Sequence, residues 1–385
     1  MSVEAGAARP LAAAAADDER RSVAREVFVS GAGVCEAAGP AISYRPRLNN
    51  ALEQELYAKA RRKSAIEEWR VRSFSAEDFA GQGRSPLINP HLRAQDVAFS
   101  EALRSAGLLR KIGRKQSRRV GVIYIDFYGN TSSLERELSS RELYYLDVYP
   151  TYLLQNHNIS GFSMKTRGER NGVPEAFDVA RSLIRSGELD VVVLGGVFPV
   201  YSYLFLSEAL EDAAWLKGQR LPERGGSCEL CERSVFLVLE GDDAANARGQ
   251  AARFRIGDPV HYRASGESLA DAWKRRRQLR FRESESDQPA HIFGGVYRAA
   301  APEIEFASFA EQYAQAQCVD LSADGDSGHL NALKPFYQNY TKHSATNVER
   351  DESTRPAILH TWDRSGCGSE LWIEPAPQRS GGDSK

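Results

Sequence analysis

The sequence predicts an α/β protein built as two similar halves. Unbroken apolar runs of the kind that form strands covered on both faces recur along the chain, as in "DVVVLGGV" (190–197) and "SVFLVLEG" (234–241). Other segments space their apolar residues by three and four and close on a glycine, as in "DVAFSEALRSAGLL" (96–109). Strands and helices alternate throughout, and each half opens with a strand entering a tight turn.

The elements follow in order. An alanine-rich start (1–24), interrupted by acidic residues, reads as a disordered tail rather than a signal peptide. "REVFVSGAGVCEAAG" predicts a short strand, Val27 to Val29, running into a glycine turn. Gly31 and Gly33 invite a dinucleotide reading, but the third glycine of G-x-G-x-x-G falls at Glu36 and the fingerprint fails. The stretch from Tyr44 to Asp96 is charged and irregular, with a helix predicted through "LEQELYAKARRKSAIEEW" (52–69). The helix at 96–109 comes next, then the basic run "RKIGRKQSRR" (110–119) and a strand in "VGVIYIDFYG" (120–129).

Pro174 suits a first helical turn, where its missing N–H is not needed. Ala176, Phe177, Val179, Ala180, Leu183 and Ile184 then predict a helix buried on more than one face, ended by Gly187. The second half runs through a strand at 234–241, the strand-like 252–264, a helix at 267–281 and a strand-like 318–325. A helix at 328–340, limited by Pro335, and a strand pair within 356–375 complete it. The expected division is a tail (1–24), an N-terminal half (25–230), a C-terminal half (231–375) and a second tail (376–385).

With 385 residues, 42% hydrophobic and 26% charged, the chain is long enough for an ample core. A net charge of −2 gives no whole-protein argument for nucleic acid or membrane surfaces. No apolar run approaches the roughly 20 residues that span a bilayer. The five cysteines are an odd number without a secretion signal, which implies a reduced, cytoplasmic setting. Only Cys228 and Cys231, in "CELC", have ligand or redox spacing. Zinc would need two further ligands, and a redox pair would open a helix, whereas this segment leads into a strand. They read as loop thiols, and no metal or cofactor is expected. His157, His261, His291, His343 and His360 carry no motif.

The order of motifs resembles the β-ketoacyl synthase (ketosynthase) family of the thiolase fold from Val27 to Pro375. "VFVSGAGVCEAAG" resembles its opening strand, "ALRSAGLL" its "ALxxAGL" helix, and "ARSLIRSGELDVVVLGGV" the helix and strand that follow the nucleophile, with Gly195 and Gly196 as the glycine pair. "CERSVFLVLEGDDAANARG" resembles "GEGAGVLVLE…ARG". "SGHLNAL" resembles the "NIGH" element and "SGCGSELWIEP" the "GFGGTNAHVVLE" loop, with Gly366 and Gly368 matching around Cys367. The resemblance implies a five-layer αβαβα sandwich of two pseudo-duplicated halves, dimeric through the edge strand "SGFSMK". It also implies a substrate carried on acyl carrier protein.

It implies a cysteine at the start of the buried helix, where the dipole and backbone N–H groups activate it. Counting back from the glycine pair places that position at Arg170, or Glu169 with one residue of slack. His329 falls at the second catalytic histidine. The "HGTGT" loop of the first is missing, and the lysine expected five residues before His329 is Asp324. The expected role is a non-catalytic, chain length factor-like partner of an active ketosynthase, as a heterodimer or with itself. The alternative is an acyltransferase or condensing-type enzyme using His329 without a cysteine. The basic residues Arg114, Lys115, Arg118 and Arg119, and Lys274, Arg275, Arg276 and Arg277, read either as solvated faces or as docking sites for an acidic carrier protein.

Overall fold

The computed structural model describes residues 25–45, 48, 51–63, 66–79, 89–108, 112–113, 116–126, 150–167, 171–200, 226–248, 254–265, 269–280, 289–294, 313–338, 355–362 and 367–376. The expected tails lie outside these residues, except for position 376. In chain order the strands are β1 (Val27–Glu36), β2 (Ile42–Tyr44), β3 (Ile66–Arg72), β4 (Val120–Asp126), β5 (Ser163–Arg167), β6 (Val191–Phe198) and β7 (Gly226–Cys231). There follow β8 (Arg233–Gly241), β9 (Phe254–Ile256), β10 (Val260–Arg263), β11 (His291–Gly294), β12 (Gln317–Asp320), β13 (Ala357–Trp362) and β14 (Cys367–Pro375). The α-helices include α1 (Ala51–Lys63), α2 (Pro90–Ser105), α3 (Gly172–Arg185), α4 (Asp242–Ala247) and α5 (Leu269–Arg280); residues 150–156 and 334–338 are also helical, and Gly328–Leu333 forms a 3₁₀ segment.

Eleven strands form one sheet in the order β12-β11-β13-β14-β9-β1-β8-β6-β4-β5, with β10 also on β14. Read outward from its centre, the sheet is the same arrangement twice. β1-β8-β6-β4-β5 and β9-β14-β13-β11-β12 each begin with two antiparallel joints and end with two parallel ones. Among the described residues two rungs, Phe28 with Arg255 and Val29 with Phe254, join the repeats. The change from one repeat to the other falls between β8 and β9. β8, expected in the second half from residue 231 onward, instead pairs along its length with β1 and β6 of the first.

Among the described residues three apolar cores lie between five layers, the middle one covering both faces of the α3 layer. Outside the first repeat, Ala94, Ala98, Phe99, Ala102 and Leu103 of α2 pack on Val122, Val193 and Val238. Between the repeats, Val173, Ala176, Phe177, Ala180 and Ile184 of α3 meet Leu330, Leu333 and Phe336, with the Phe177 and Phe336 rings 5.1 Å apart. Ile125 and Leu194 close this layer from one sheet face, Leu359 and Leu371 from the other. Outside the second repeat, Trp273 of α5 packs on Tyr262, Ile292 and Trp372. α3 is thus buried on more than one face, as its run of apolar residues predicts.

Several local expectations change. β1 does not turn at its glycines but continues to Glu36. A Cβ at Gly31 or Gly33 would overlap the backbone of α2 at Ala102 or Ala98, so these glycines let the helix lie against the strand. The helix predicted through 52–69 stops at Lys63, and "IEEWRVR" is β3, with Trp69 and Val71 buried at a period of two. β3 pairs with β2 and β7 in a separate three-stranded sheet, which gives the charged insert a structure. Trp69 Nε1 donates to Tyr57 Oη of α1 at 2.9 Å. α2 begins six residues earlier than predicted, where Asn89 caps it through His91 N and Leu92 N and Pro90 enters at the first turn.

Candidate functional site

β5 leads through residues 168–170 into α3, whose N-cap is Asn171. The Asn171 side chain does not cap its own helix. Its Oδ1 accepts from Thr361 Oγ1 of β13 at 2.8 Å and its Nδ2 donates to the Cys367 carbonyl of β14 at 3.3 Å. One buried amide therefore ties the start of α3, in the first repeat, to two strands of the second. Glu169, Arg170 and Gly366 lie outside the described residues. Gly368 is needed for contact, since a Cβ there would overlap the Tyr262 ring, which itself hydrogen-bonds His360 Nε2.

His329 lies in the Gly328–Leu333 segment and is completely buried. Burial pushes its pKa down to about 3, against a weaker opposing effect of a backbone hydrogen bond with Ile125 at the end of β4. The imidazole is therefore neutral at physiological pH and a weak base.

The turn before His329 is held from every side. Asp326 Oδ1 accepts from Gly328 N at 2.7 Å and Asn331 Nδ2 at 2.8 Å, and Ser327 Oγ donates to the Cys231 carbonyl at 2.7 Å. Leu230 bridges Asp326, so the three-stranded sheet extends into this turn. Arg72 of β3 donates to Glu229 Oε1 at 2.8 Å and to the Asp324 carbonyl at 2.6 Å. The charged insert is thereby fastened to the segment that carries His329. Glu232, one of the residues matching the resemblance, adds a second tie. It accepts from Phe74 N at 2.8 Å and Val200 N at 3.0 Å, and pairs with His91 Nε2 at 2.9 Å.

Beneath the turn lies Lys334, a lysine that motif spacing did not single out. Its Nζ donates to the Leu321 carbonyl and, at 3.2 Å, to that of Gly325. Burial, reinforced by the nearby Arg233, brings its pKa down to about 8 against the pull of Asp326, Glu36 and Asp324. Arg233, itself buried, reaches Asn331 Oδ1 at 3.3 Å and Glu36 Oε1 through its Nε at 2.8 Å. Cys228 and Cys231 are strand thiols rather than loop thiols, three residues apart on β7, with Cys228 in the middle core and Cys231 in the α2 core. Burial raises the Cys231 pKa, with Arg233 opposing. Among the described residues no three histidine, cysteine, aspartate or glutamate side chains gather as a metal site.

The basic residues divide. Arg119 is engaged by the turn after α3, with its Nε 3.0 Å from Asp190 Oδ2 and its Nη1 2.8 Å from the Gly187 carbonyl. Arg118, Arg275 and Arg276 are exposed and Lys274 is half-buried, while Arg114 and Lys115 lie outside the described residues.

No family model matches the sequence, and no curated protein matches it. Solved structures do. The structure described as a type II PKS acyl-carrier protein in complex with its ketosynthase bound to the hexaketide (AntDE:AntF) aligns at a TM-score of 0.60 and 18% identity, over 91% of this chain and 99% of that one. The ishigamide ketosynthase/chain length factor aligns at 0.61 and 14%, over 91% and 100%. The oxazolomycin ketosynthase domain OzmH KS7 of Streptomyces albus JA3453 aligns at 0.56 and 14%, over 92% and 76%. With its repeated five-strand arrangement and five layers, the chain has the ketosynthase fold.

Proposed function

We propose that the chain is a ketosynthase-like subunit without condensing activity of its own, pairing with an active ketosynthase in a type II polyketide-like system. The observation that carries this reading is the start of α3. A condensing enzyme needs a thiol there, whereas this sequence runs Gly168-Glu169-Arg170-Asn171, and the asparagine side chain is spent on Thr361 and Cys367. The similar structures support the setting, since one contains a carrier protein with its ketosynthase and another is a ketosynthase/chain length factor. β5, the end strand of the large sheet among the described residues, is the strand we assign to the partner contact.

Acyl transfer by His329 alone is the weaker reading, because a wholly buried imidazole with a pKa near 3 is a poor general base at pH 7. Exposed Arg118, Arg275 and Arg276 are the described basic residues we assign to contact with an acidic carrier protein. Purification of the tagged chain from its own source in mild salt tests the proposal. A ketosynthase with an intact cysteine, co-eluting in equal amount, is expected. Condensation by the purified chain alone would overturn the proposal.

A further inference from the structure

On adjacent strands of the second repeat a serine and a histidine are hydrogen-bonded to each other. Ser369 of β14 is the cross-strand partner of His261 of β10, and its Oγ lies 2.8 Å from His261 Nδ1. Ser369 is also the cross-strand partner of Thr361 on β13, whose hydroxyl holds Asn171 at the start of α3. Paired residues share a sheet face, so the serine and the histidine point toward the same layer as Asn171. Leu371, two residues on from Ser369, lies in the apolar core of that layer, whereas Tyr262 beside His261 belongs to the outer core.

This face opens to solvent at β10, which pairs with β14 alone among the described residues. His261 and Arg263 are exposed and Cys367, the partner of Arg263, is half-buried, while Ser369 itself is 1% exposed. With the ring proton on Nε2, His261 Nδ1 accepts from the Ser369 hydroxyl, the relation of a nucleophile to its general base. Arg263, two residues along β10 on the same face, adds a positive charge that favours an oxyanion. No carboxylate pairs with His261 among the described residues, and a pair lacking an orienting acid suits an acyl group with a good leaving group. A thiolate, whose acid has an ordinary pKa of about 8.5, is such a group.

We propose that Ser369 and His261 form a hydrolytic site for acyl thioesters, separate from the start of α3. Ser369 Oγ attacks the acyl carbon as its proton passes to His261 Nδ1. The C–S bond then breaks, and the leaving thiolate takes that proton from the imidazolium. Water attacks the serine ester, giving a proton to His261, which returns it to Ser369 Oγ as the carboxylic acid departs. The sum is thioester plus water to acid plus thiol. The reaction needs no ketosynthase, so a chain that co-elutes with a ketosynthase and releases no thiol keeps the pairing and loses this site.

The test is thiol release from octanoyl-N-acetylcysteamine by the purified full chain, compared for wild type, Ser369→Ala and His261→Gln. Acid quenching traps the acylated chain for peptide mass analysis. Wild type should release thiol about a hundredfold or more faster than buffer, with the octanoyl increment on Ser369. Ser369→Ala should fall to the buffer rate, and His261→Gln should lose at least roughly tenfold. Release no faster than in buffer, an undiminished rate in either variant, or an increment carried on Cys367 or another residue would overturn the proposal. Should Ser369→Ala fail to fold, a fluorophosphonate probe decides. Labelling mapped to Ser369 and slowed by His261→Gln sustains the site, and labelling that is absent there or indifferent to His261→Gln overturns it.

Discussion

At the scale of single residues, Lys334 gives the chain a titration of unusual sign. Its folded pKa of about 8 lies below the ordinary 10.5, so the unfolded chain binds its proton more tightly than the folded one. Stability is therefore reduced below pH 8 and recovers as pH rises toward 10.5, by an amount on the order of 3 kcal/mol. Cys35 acts oppositely, since burial pushes its thiol up to about 12 and folding then disfavours its ionisation above pH 9. Urea titrations from pH 7 to 10 should show wild type gaining on Lys334→Met; parallel curves would assign the depressed pKa elsewhere. Asn171→Ala leaves the Thr361 hydroxyl without its acceptor and should cost about 1–3 kcal/mol in the same measurement. A loss below about half a kcal/mol would mean that the amide does not hold the repeats together.

At the scale of elements, small residues decide how closely helix and strand approach. Gly33→Ala places a Cβ against the Ala98 carbonyl of α2, and overpacking of this kind costs about 1–3 kcal/mol or more. A lower denaturation midpoint with unchanged denaturant dependence is the expected result. The same glycines show what the sequence could and could not tell. Read locally, Gly31 and Gly33 spell a turn. Their purpose appears only once α2, some 65 residues away, lies across them. The buried strands β6 and β8 and the helix α3 were legible because unbroken apolar runs have few other solutions. β3 was not, because a charged "IEEWRVR" following a helix continues the helical pattern until Trp69 meets Tyr57. Asn89-Pro90 was a readable helix start. Lys334 was not readable at all, since its burial follows from the turn folding over it.

At the scale of the whole molecule, the repeats share a core rather than a strand ladder. Among the described residues two rungs join them, while α3 and the 328–338 segment are enclosed by both. Either half alone would expose that layer, so isolated residues 242–385 should lack a cooperative thermal transition by circular dichroism. A cooperative melt would show the second repeat to be self-sufficient. The shared layer also bears on how the chain is made. Phe336, which covers α3, lies about 150 residues beyond Ile184. At ~5–20 residues per second, the ribosome leaves that apolar helix face uncovered for roughly 8–30 s. During that interval the nascent first repeat presents an exposed apolar surface, the kind that chaperones shield from aggregation.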